Sequence, residues 1–127
     1  MTKKTLEQLT DLRKEIVELE KRIKHIEQKM MDTASDTVKI SHTDFQKRQQ
    51  LSVSMNLLQK RINQAAALEA EITEYINNVR DSKIRRMMQY KYIDGYTWKR
   101  IAGIMHYDKS YPEKAITRYL QKNTPKK

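Results

Sequence analysis

The sequence predicts an all-α protein in which two long helices precede three short ones. Two observations carry this prediction. The 127 residues include only two glycines and two prolines, too few for a β architecture, which needs a turn about every ten residues. Hydrophobic residues make up 38% of the chain and charged residues 33%, a composition typical of helices that bury one narrow face.

The first helix is predicted from a regular series of apolar residues. Successive members are separated alternately by three and four positions, which keeps them on one stripe of a helix. Oppositely charged pairs four positions apart, such as Lys14 and Glu18, occupy the other faces. We therefore expect a helix from about Thr5 to Met31. Its stripe consists of Leu9, Leu12, Ile16, Leu19, Ile23, Ile26 and Met30.

A second long helix is predicted after a polar segment. Residues 32–44, DTASDTVKISHTD, are rich in Asp, Ser and Thr and lack the helical period, so we expect a loop at about 32–43. The next helix should run from about Thr43 to Val79. The two helices can form an antiparallel hairpin or a coiled coil between chains, and both remain open. The second stripe contains Leu51, Met55, Leu58, Ile62, Ala65, Ile72, Ile76 and Val79, interrupted by Glu69 beside Leu68.

The C-terminal part predicts two short helices joined at a glycine. Asp81 and Ser82 are both favourable N-cap residues for a third helix. This helix should end at Gly95, which readily adopts the left-handed conformation found at helix ends. Thr97 then caps a fourth helix, Trp98–Met105. The third helix is expected to direct Ile84, Met87, Met88 and Ile93 inward.

A fifth helix is predicted from about Tyr111 to Gln121. Ser110 and Glu113 match the S-x-x-E capping box, and Pro112 falls in the first turn, where its missing N–H is tolerated. The helix has two distinct faces. The apolar face contains Pro112, Ala115, Ile116, Tyr119 and Leu120, and the polar face contains Glu113, Lys114, Thr117, Arg118 and Gln121.

A short helix, a corner and a two-faced helix together predict a helix-turn-helix, whose second helix enters the DNA major groove. The small Ala102 allows the helices to approach closely, and Trp98 supplies a large anchor. Stacking of Trp98 on a base is the less favoured interpretation. Apolar side chains at the positions that such a unit buries are Ile101, Met105, Tyr107 and Ala115.

The net charge of +10 is concentrated in the same region. Residues 1–80 carry 14 basic and 12 acidic side chains, a net of +2, whereas residues 81–127 carry 12 basic and 4 acidic ones, a net of +8. Such a surplus is typical of a module that binds a polyanion. Together with the predicted helix-turn-helix, this surplus predicts double-stranded DNA as the partner.

The candidate DNA contacts are basic and hydroxyl side chains around the fifth helix, because Lys and Arg bind phosphates or guanine and Ser and Thr bind either target. Flanking basic residues could hold neighbouring phosphates. The first group is Lys109, Ser110, Lys114, Thr117 and Arg118, and the flanking group is Lys99, Arg100, Arg85, Arg86 and Lys91.

The segment YKYIDGYTWKRIAGIMHY at residues 90–107 resembles a known family. It is similar to the RYI-G-TW-IA--LGY core of small phage and prophage transcription regulators of the ArpU/RinA type, whose ending resembles the DNA-reading C-terminal domain of sigma factors. The similarity covers residues 84–107. It implies transcription control, with Trp98, Ile101 and Ala102 as scaffold and the following helix as DNA reader. His106 stands where the family usually has glycine, and KSYPEKAI replaces the usual start of the reading helix.

These observations predict residues 1–80 as a hairpin or coiled coil, 81–122 as the helix-turn-helix domain and 123–127 as a basic tail. The absence of cysteine fits a reducing compartment such as the cytoplasm, and the resemblance implies that of a bacterial host cell. The charged N-terminus indicates neither a signal peptide nor a membrane span. Scattered histidines and the absence of catalytic motifs predict no metal, no cofactor and no enzymatic activity.

Two other functions fit the same pattern. The long helices could bind a host protein such as RNA polymerase or a defence nuclease, with the helix-turn-helix kept mainly as fold. Alternatively, the chain could be a small-terminase-like subunit of DNA packaging, which also joins a helix-turn-helix to helical oligomerisation. We also expect homo-oligomerisation through the N-terminal helices.

Overall fold

The computed structural model describes residues 1–34 and 42–123, which are predominantly helical. No β-strand is present in these two ranges, which confirms the predicted all-α class. Five α-helices follow one another, and a π-helical turn at Gln89–Ile93 continues the third. They are α1 (Lys3–Ala34), α2 (His42–Asn77), α3 (Ser82–Met88), α4 (Trp98–Met105) and α5 (Tyr111–Asn123).

Apart from the end of α3, the observed helix ends lie within three residues of the predicted ones. α3 itself ends at Met88, and the π-helical turn at Gln89–Ile93 continues it to within two residues of Gly95. α4 begins and ends at the predicted residues, whereas α1 and α2 both extend into the segment expected to be a loop. Differences of this size are ordinary, because terminal turns are held by few hydrogen bonds. The rest of that loop, residues 35–41, and residues 124–127 of the predicted basic tail lie outside the described residues.

The chain forms two compact units, and both long helices contribute to each. One unit consists of residues 12–65. The other consists of residues 1–11 and 66–127, and therefore combines the first turns of α1, the last turns of α2 and all of α3 to α5. The predicted division of the sequence at residues 80 and 122 stays a prediction.

Within residues 12–65, α1 and α2 pack as a helical hairpin in one chain. Leu19 and Ile23 of α1 are buried, as is Ala65 of α2. The guanidinium of Arg61 donates a hydrogen bond of 2.9 Å to the Glu15 carboxylate of the other helix. The apolar stripe of α1 therefore faces inward, as the sequence predicts.

The predicted stripe of α2 is only partly buried. Met55 remains 52% exposed and Ile62 38% exposed. Arg61 reaches across to Glu15, and consecutive residues of a helix are rotated by about 100°. The Ile62 side chain is therefore turned by about 100° from that of Arg61, and Met55, seven positions earlier, lies on the same face as Ile62.

The second unit contains the larger core. Each of its central apolar side chains is no more than 3% exposed. Tyr92, four residues after Met88, is buried, whereas Ile93, which was expected to face inward, is half-buried. The core side chains are Leu6, Leu9, Ile72, Ile76, Val79, Met87, Met88, Tyr92, Ile101, Ile116 and Leu120.

Asp81 is the N-cap of α3, one of the two residues predicted for this role. Its carboxylate accepts hydrogen bonds from the backbone N–H groups of Lys83 at 2.9 Å and Ile84 at 3.3 Å. These are donors that the first helical turn cannot satisfy itself, and a carboxylate also suits the positive end of the helix dipole. α3 is therefore fixed at its start.

Gly95 reverses the chain between the π-helical turn and α4. Its φ is +75°, a left-handed value that glycine adopts without steric cost. The backbone N–H of Tyr96 then bonds to the Tyr90 carbonyl at 2.9 Å. The Thr97 hydroxyl accepts from the backbone N–H of Arg100 at 3.2 Å, which confirms Thr97 as the N-cap of α4.

His106 ends α4 in the left-handed conformation, with φ 61° and ψ 44°. A side chain with a Cβ is disfavoured there, which explains physically why glycine would be the ordinary residue at this corner. The backbone N–H of Tyr107 bonds to the Ala102 carbonyl at 2.9 Å and closes the turn. α5 follows and packs against α3 and α4. The capping box of Ser110 and Glu113 stays a prediction.

The two glycines should respond oppositely to replacement by alanine. Gly103 lies inside α4 with nothing within 4 Å of an added Cβ, so Gly103→Ala should stabilise the protein by about 0.5–1 kcal/mol. Gly95→Ala should destabilise it by about 1–2 kcal/mol, because alanine resists the positive φ. Urea unfolding followed by far-UV circular dichroism measures both. Equal signs for the two variants would contradict this account of Gly95.

His106→Gly should stabilise the protein by about 0.5–1 kcal/mol, because glycine relieves the left-handed backbone strain but loses more conformational entropy on folding. His106→Ala is the matched control, since it removes the imidazole and keeps the Cβ. Thermal unfolding of both variants separates the relief of backbone strain from the loss of the imidazole. If alanine stabilises as much as glycine, the imidazole and not the backbone is the source of strain.

Candidate functional site

The polar face of α5 borders an open groove with a volume of about 530 Å³. Four side chains proposed from the sequence as DNA contacts lie together at this groove, although Ser110 precedes the helix. They are joined by the acidic residue of the same face and by one lysine from α1. The lining residues are Lys3, Ser110, Glu113, Lys114, Thr117 and Arg118.

The candidate side chains are accessible. Thr117 is half-buried, and the other six predicted contacts, which include Lys109 before α5 and Lys99 and Arg100 on α4, are exposed. On the opposite face of α5, Ile116 is 0% and Leu120 3% exposed. α5 is thus anchored through its apolar face, and its basic face is exposed.

Lys3 is a member of this groove that sequence reasoning missed. Its ammonium donates to the Thr117 hydroxyl at 3.3 Å and lies 3.6 Å from the Glu113 carboxylate. The side chains of Lys3 and Glu113 are 34% and 50% exposed, so solvent screens their attraction and the pair adds little stability. The main effect of Lys3 is on the net charge of the groove, because its ammonium offsets the negative charge of Glu113.

A second cluster of cations and aromatic rings lies around the start of α4. The rings of Tyr90 and Tyr96 stack with centroids 5.6 Å apart and planes inclined by 10°. The Arg100 guanidinium lies 3.8 Å from the centroid of the Tyr96 ring. Beside them, the Lys91 ammonium lies 4.6 Å from the centroid of Trp98. Both cations are therefore held over rings.

Trp98 is half-buried rather than fully enclosed. Because Lys91 occupies one face of its ring, the predicted role of Trp98 as an anchor of the corner is combined with a cation contact. Tyr107 and Tyr111 form a further aromatic pair, with ring centroids 4.5 Å apart. Tyr111 begins α5 and is 42% exposed, which places an aromatic side chain at the entrance of that helix.

The flanking arginines of α3 differ in their environment. The Arg85 guanidinium donates a hydrogen bond of 2.8 Å to the Val79 carbonyl, which joins α3 to the chain that precedes it. Arg85 therefore has a structural role, whereas Arg86 is exposed. For both residues a contact with phosphate stays a prediction.

Two tyrosine hydroxyls have raised pKa values. Burial raises the pKa of Tyr92, and the nearby carboxylates of Glu7 and Glu113 raise it further. Burial also raises the pKa of Tyr75, with a smaller effect from the neighbouring Tyr119 hydroxyl. Both phenols therefore remain protonated at neutral pH.

Within residues 1–34 and 42–123, no group of three or more His, Cys, Asp or Glu side chains is arranged to hold a metal ion. Over the same part of the chain, none of the helices is sufficiently long and apolar to span a membrane. The groups that the described site does present are hydroxyls, cations and aromatic rings.

Comparisons with models of protein families, with curated proteins and with solved structures find no match to this chain.

Proposed function

We propose that this protein is a phage-type transcription regulator that binds double-stranded DNA through α4 and α5. The observation that carries the proposal is the structure of α5, whose apolar face is buried while its basic face is exposed at a groove. The net charge of +8 over residues 81–127 supports the same partner. In this arrangement α5 lies in the major groove and reads DNA.

The proposed DNA contacts fall into groups according to the chemistry of their side chains. Lys114 and Arg118, four positions apart on α5, face the same direction and can reach guanine edges or phosphates. Ser110 and Thr117 offer hydroxyl groups to either target. Basic residues at the start of α4 and beside α5, Lys99, Arg100 and Lys109, are placed to hold the flanking phosphates, since the first helix of such a unit crosses the DNA backbone.

The α1–α2 hairpin is proposed to serve self-association. Among the described residues of 12–65, only Leu19, Ile23 and Ala65 are buried apolar side chains, a small core for a unit of this length. The largest exposed apolar side chains of α2 are Phe45, Val53, Met55 and Ile62. A helix with apolar residues on more than one face needs a further surface to cover them, and a second copy of the chain would supply it.

The same exposed side chains favour a second candidate function. Through them the hairpin could bind a host protein, such as RNA polymerase or a defence nuclease, and inhibit it. In that case the protein acts in the bacterial cytoplasm, as the DNA-binding proposal also requires, but its activity would not depend on the basic face of α5. A small-terminase-like role would instead require both DNA binding and a higher oligomer.

Replacing Lys114 and Arg118 by alanine in the full chain should weaken duplex binding without unfolding the protein, because both side chains are exposed. The loss should be about 1–3 kcal/mol per residue if they contact bases. If they contact phosphate, the slope of log Kd against log salt should fall by about one per residue. Fluorescence anisotropy with a labelled duplex library at several salt concentrations measures both quantities.

The matched control is Arg22→Ala with Lys24→Ala, which removes one arginine and one lysine from exposed positions of α1. This control should bind DNA nearly as the wild type does. Equal losses in the two double variants would show that only total charge matters and that α5 is not the reading helix. Loss of biological activity with unchanged DNA binding would favour the protein-binding function.

Replacing Met55 and Ile62 by glutamate should lower the mass of the protein in solution towards that of one chain while retaining helicity. Both residues are already exposed in the single chain, so the new charges disturb only an interface between chains. Gln49→Glu with Asn56→Glu is the control, since it adds the same charges at exposed positions with the same spacing. Light scattering measures the mass. A wild type of one-chain mass would refute self-association through this face.

A further inference from the structure

The local backbone brings Tyr90, Tyr96 and Arg100 together, with the two tyrosine rings stacked and the Arg100 guanidinium over the Tyr96 ring. The π-helical turn carries Tyr90, and the left-handed Gly95 returns the chain so that Tyr96 bonds to the Tyr90 backbone. The two rings then lie nearly parallel, inclined by 10°. Thr97 starts α4 by accepting from the Arg100 N–H. Together these contacts fix the backbone position from which the Arg100 side chain extends.

Contact with the Tyr96 ring restricts the guanidinium while leaving it accessible to solvent. The guanidinium carbon lies 3.8 Å from the centroid of that ring, so the ring closes off one side of the group. The N–H donors of a guanidinium lie in its plane and point outward from its edge. Arg100 as a residue is exposed. An anion that approaches this edge would meet a charge whose rotamer is already restricted, which lowers the entropy cost of binding.

The position of Arg100 in the fold indicates which kind of anion it would bind. Arg100 lies in the first turns of α4, the helix that precedes the corner and α5. In a helix-turn-helix this first helix crosses the DNA backbone. The planar fork of arginine matches the two oxygens of a phosphate, whereas a lysine offers a point charge on a mobile stem. A backbone phosphate is therefore the anion that this geometry fits best.

We propose that Arg100 binds a DNA phosphate through its free edge and that Tyr96, supported by Tyr90, is the residue that positions it. This inference rests on the proposed DNA-binding function. It distinguishes Arg100 from the adjacent Lys99, which is also exposed on α4 but for which no ring contact is found in the described residues. The tyrosines act on DNA only through the arginine.

A double-mutant cycle on the full chain tests this role. Tyr96→Leu removes the ring and keeps every charge, so it should weaken duplex binding about two- to fivefold with little change in the salt slope. Arg100→Ala should lower the slope by about 0.9, the value for one lost phosphate contact on duplex DNA. In the Arg100→Ala background, Tyr96→Leu should have no further effect. Anisotropy at several salt concentrations measures all four proteins.

Two conservative variants keep the test decisive if Tyr96→Leu unfolds. Tyr96→Phe retains the ring and should bind DNA as the wild type does. Arg100→Lys retains the charge at an exposed position, and it should weaken binding while the salt slope stays the same. Lys99→Ala controls for removal of a neighbouring charge and should not interact energetically with the Tyr96 substitution.

The outcomes separate this inference from the proposed function. If the wild type binds no duplex at any salt concentration, the proposed function fails and the phosphate site fails with it. If the wild type binds and the Lys114 and Arg118 variants lose affinity, but Arg100→Ala keeps the full affinity and slope, only the phosphate site is overturned. It is also overturned if Tyr96→Leu costs the same factor in both arginine backgrounds, because Tyr96 would then act through the fold alone.

Discussion

The core shared by the two chain ends is the constraint on which the rest of the site depends. Leu6 and Leu9 of α1, and Ile72 and Ile76 of α2, are 0% exposed in the same compact unit as α3 to α5. Their burial fixes the start of α1 within that unit, and Lys3 lies one turn before Leu6. The groove beside α5 is therefore not a property of the C-terminal helices alone, since one of its cations comes from the other end of the chain.

Two left-handed residues set the directions of α4 and α5 within this core. Gly95 makes its turn without steric cost, whereas His106 makes the same kind of turn with a Cβ present. Strain of this kind persists only where surrounding contacts determine the backbone, and here the Tyr107 N–H bonds back to Ala102. A glycine at position 106 would adopt the same conformation without the steric cost of a Cβ.

The sequence predicted those features of the fold that depend on near neighbours. Apolar spacing gave the two long helices, and N-cap chemistry gave the starts of α3 and α4 at Asp81 and Thr97. Four predicted contacts also lie at one groove. Lys3 could not be predicted, because it meets Thr117 across 114 positions of sequence. The exposure of Ile62 was missed for a similar reason, since a heptad pattern does not show which side of a wide apolar surface the partner helix will cover.

The basic side chains of α4 and α5 differ in how far their rotamers are restricted before binding. This difference bears on how affinity and specificity for DNA could be divided between the two helices. Lys114 and Arg118 are exposed on α5, and no contact with an aromatic ring holds them within the described residues. Binding must therefore restrict their rotamers, at a free-energy cost that only well-matched DNA groups offset. Arg100 is already restricted by Tyr96. An ordered cation suits the uniform phosphate backbone, which every duplex presents, whereas adaptable side chains suit base edges that change with sequence. In the proposed complex with DNA, α4 would therefore supply registration on the duplex and α5 would supply the choice between sequences.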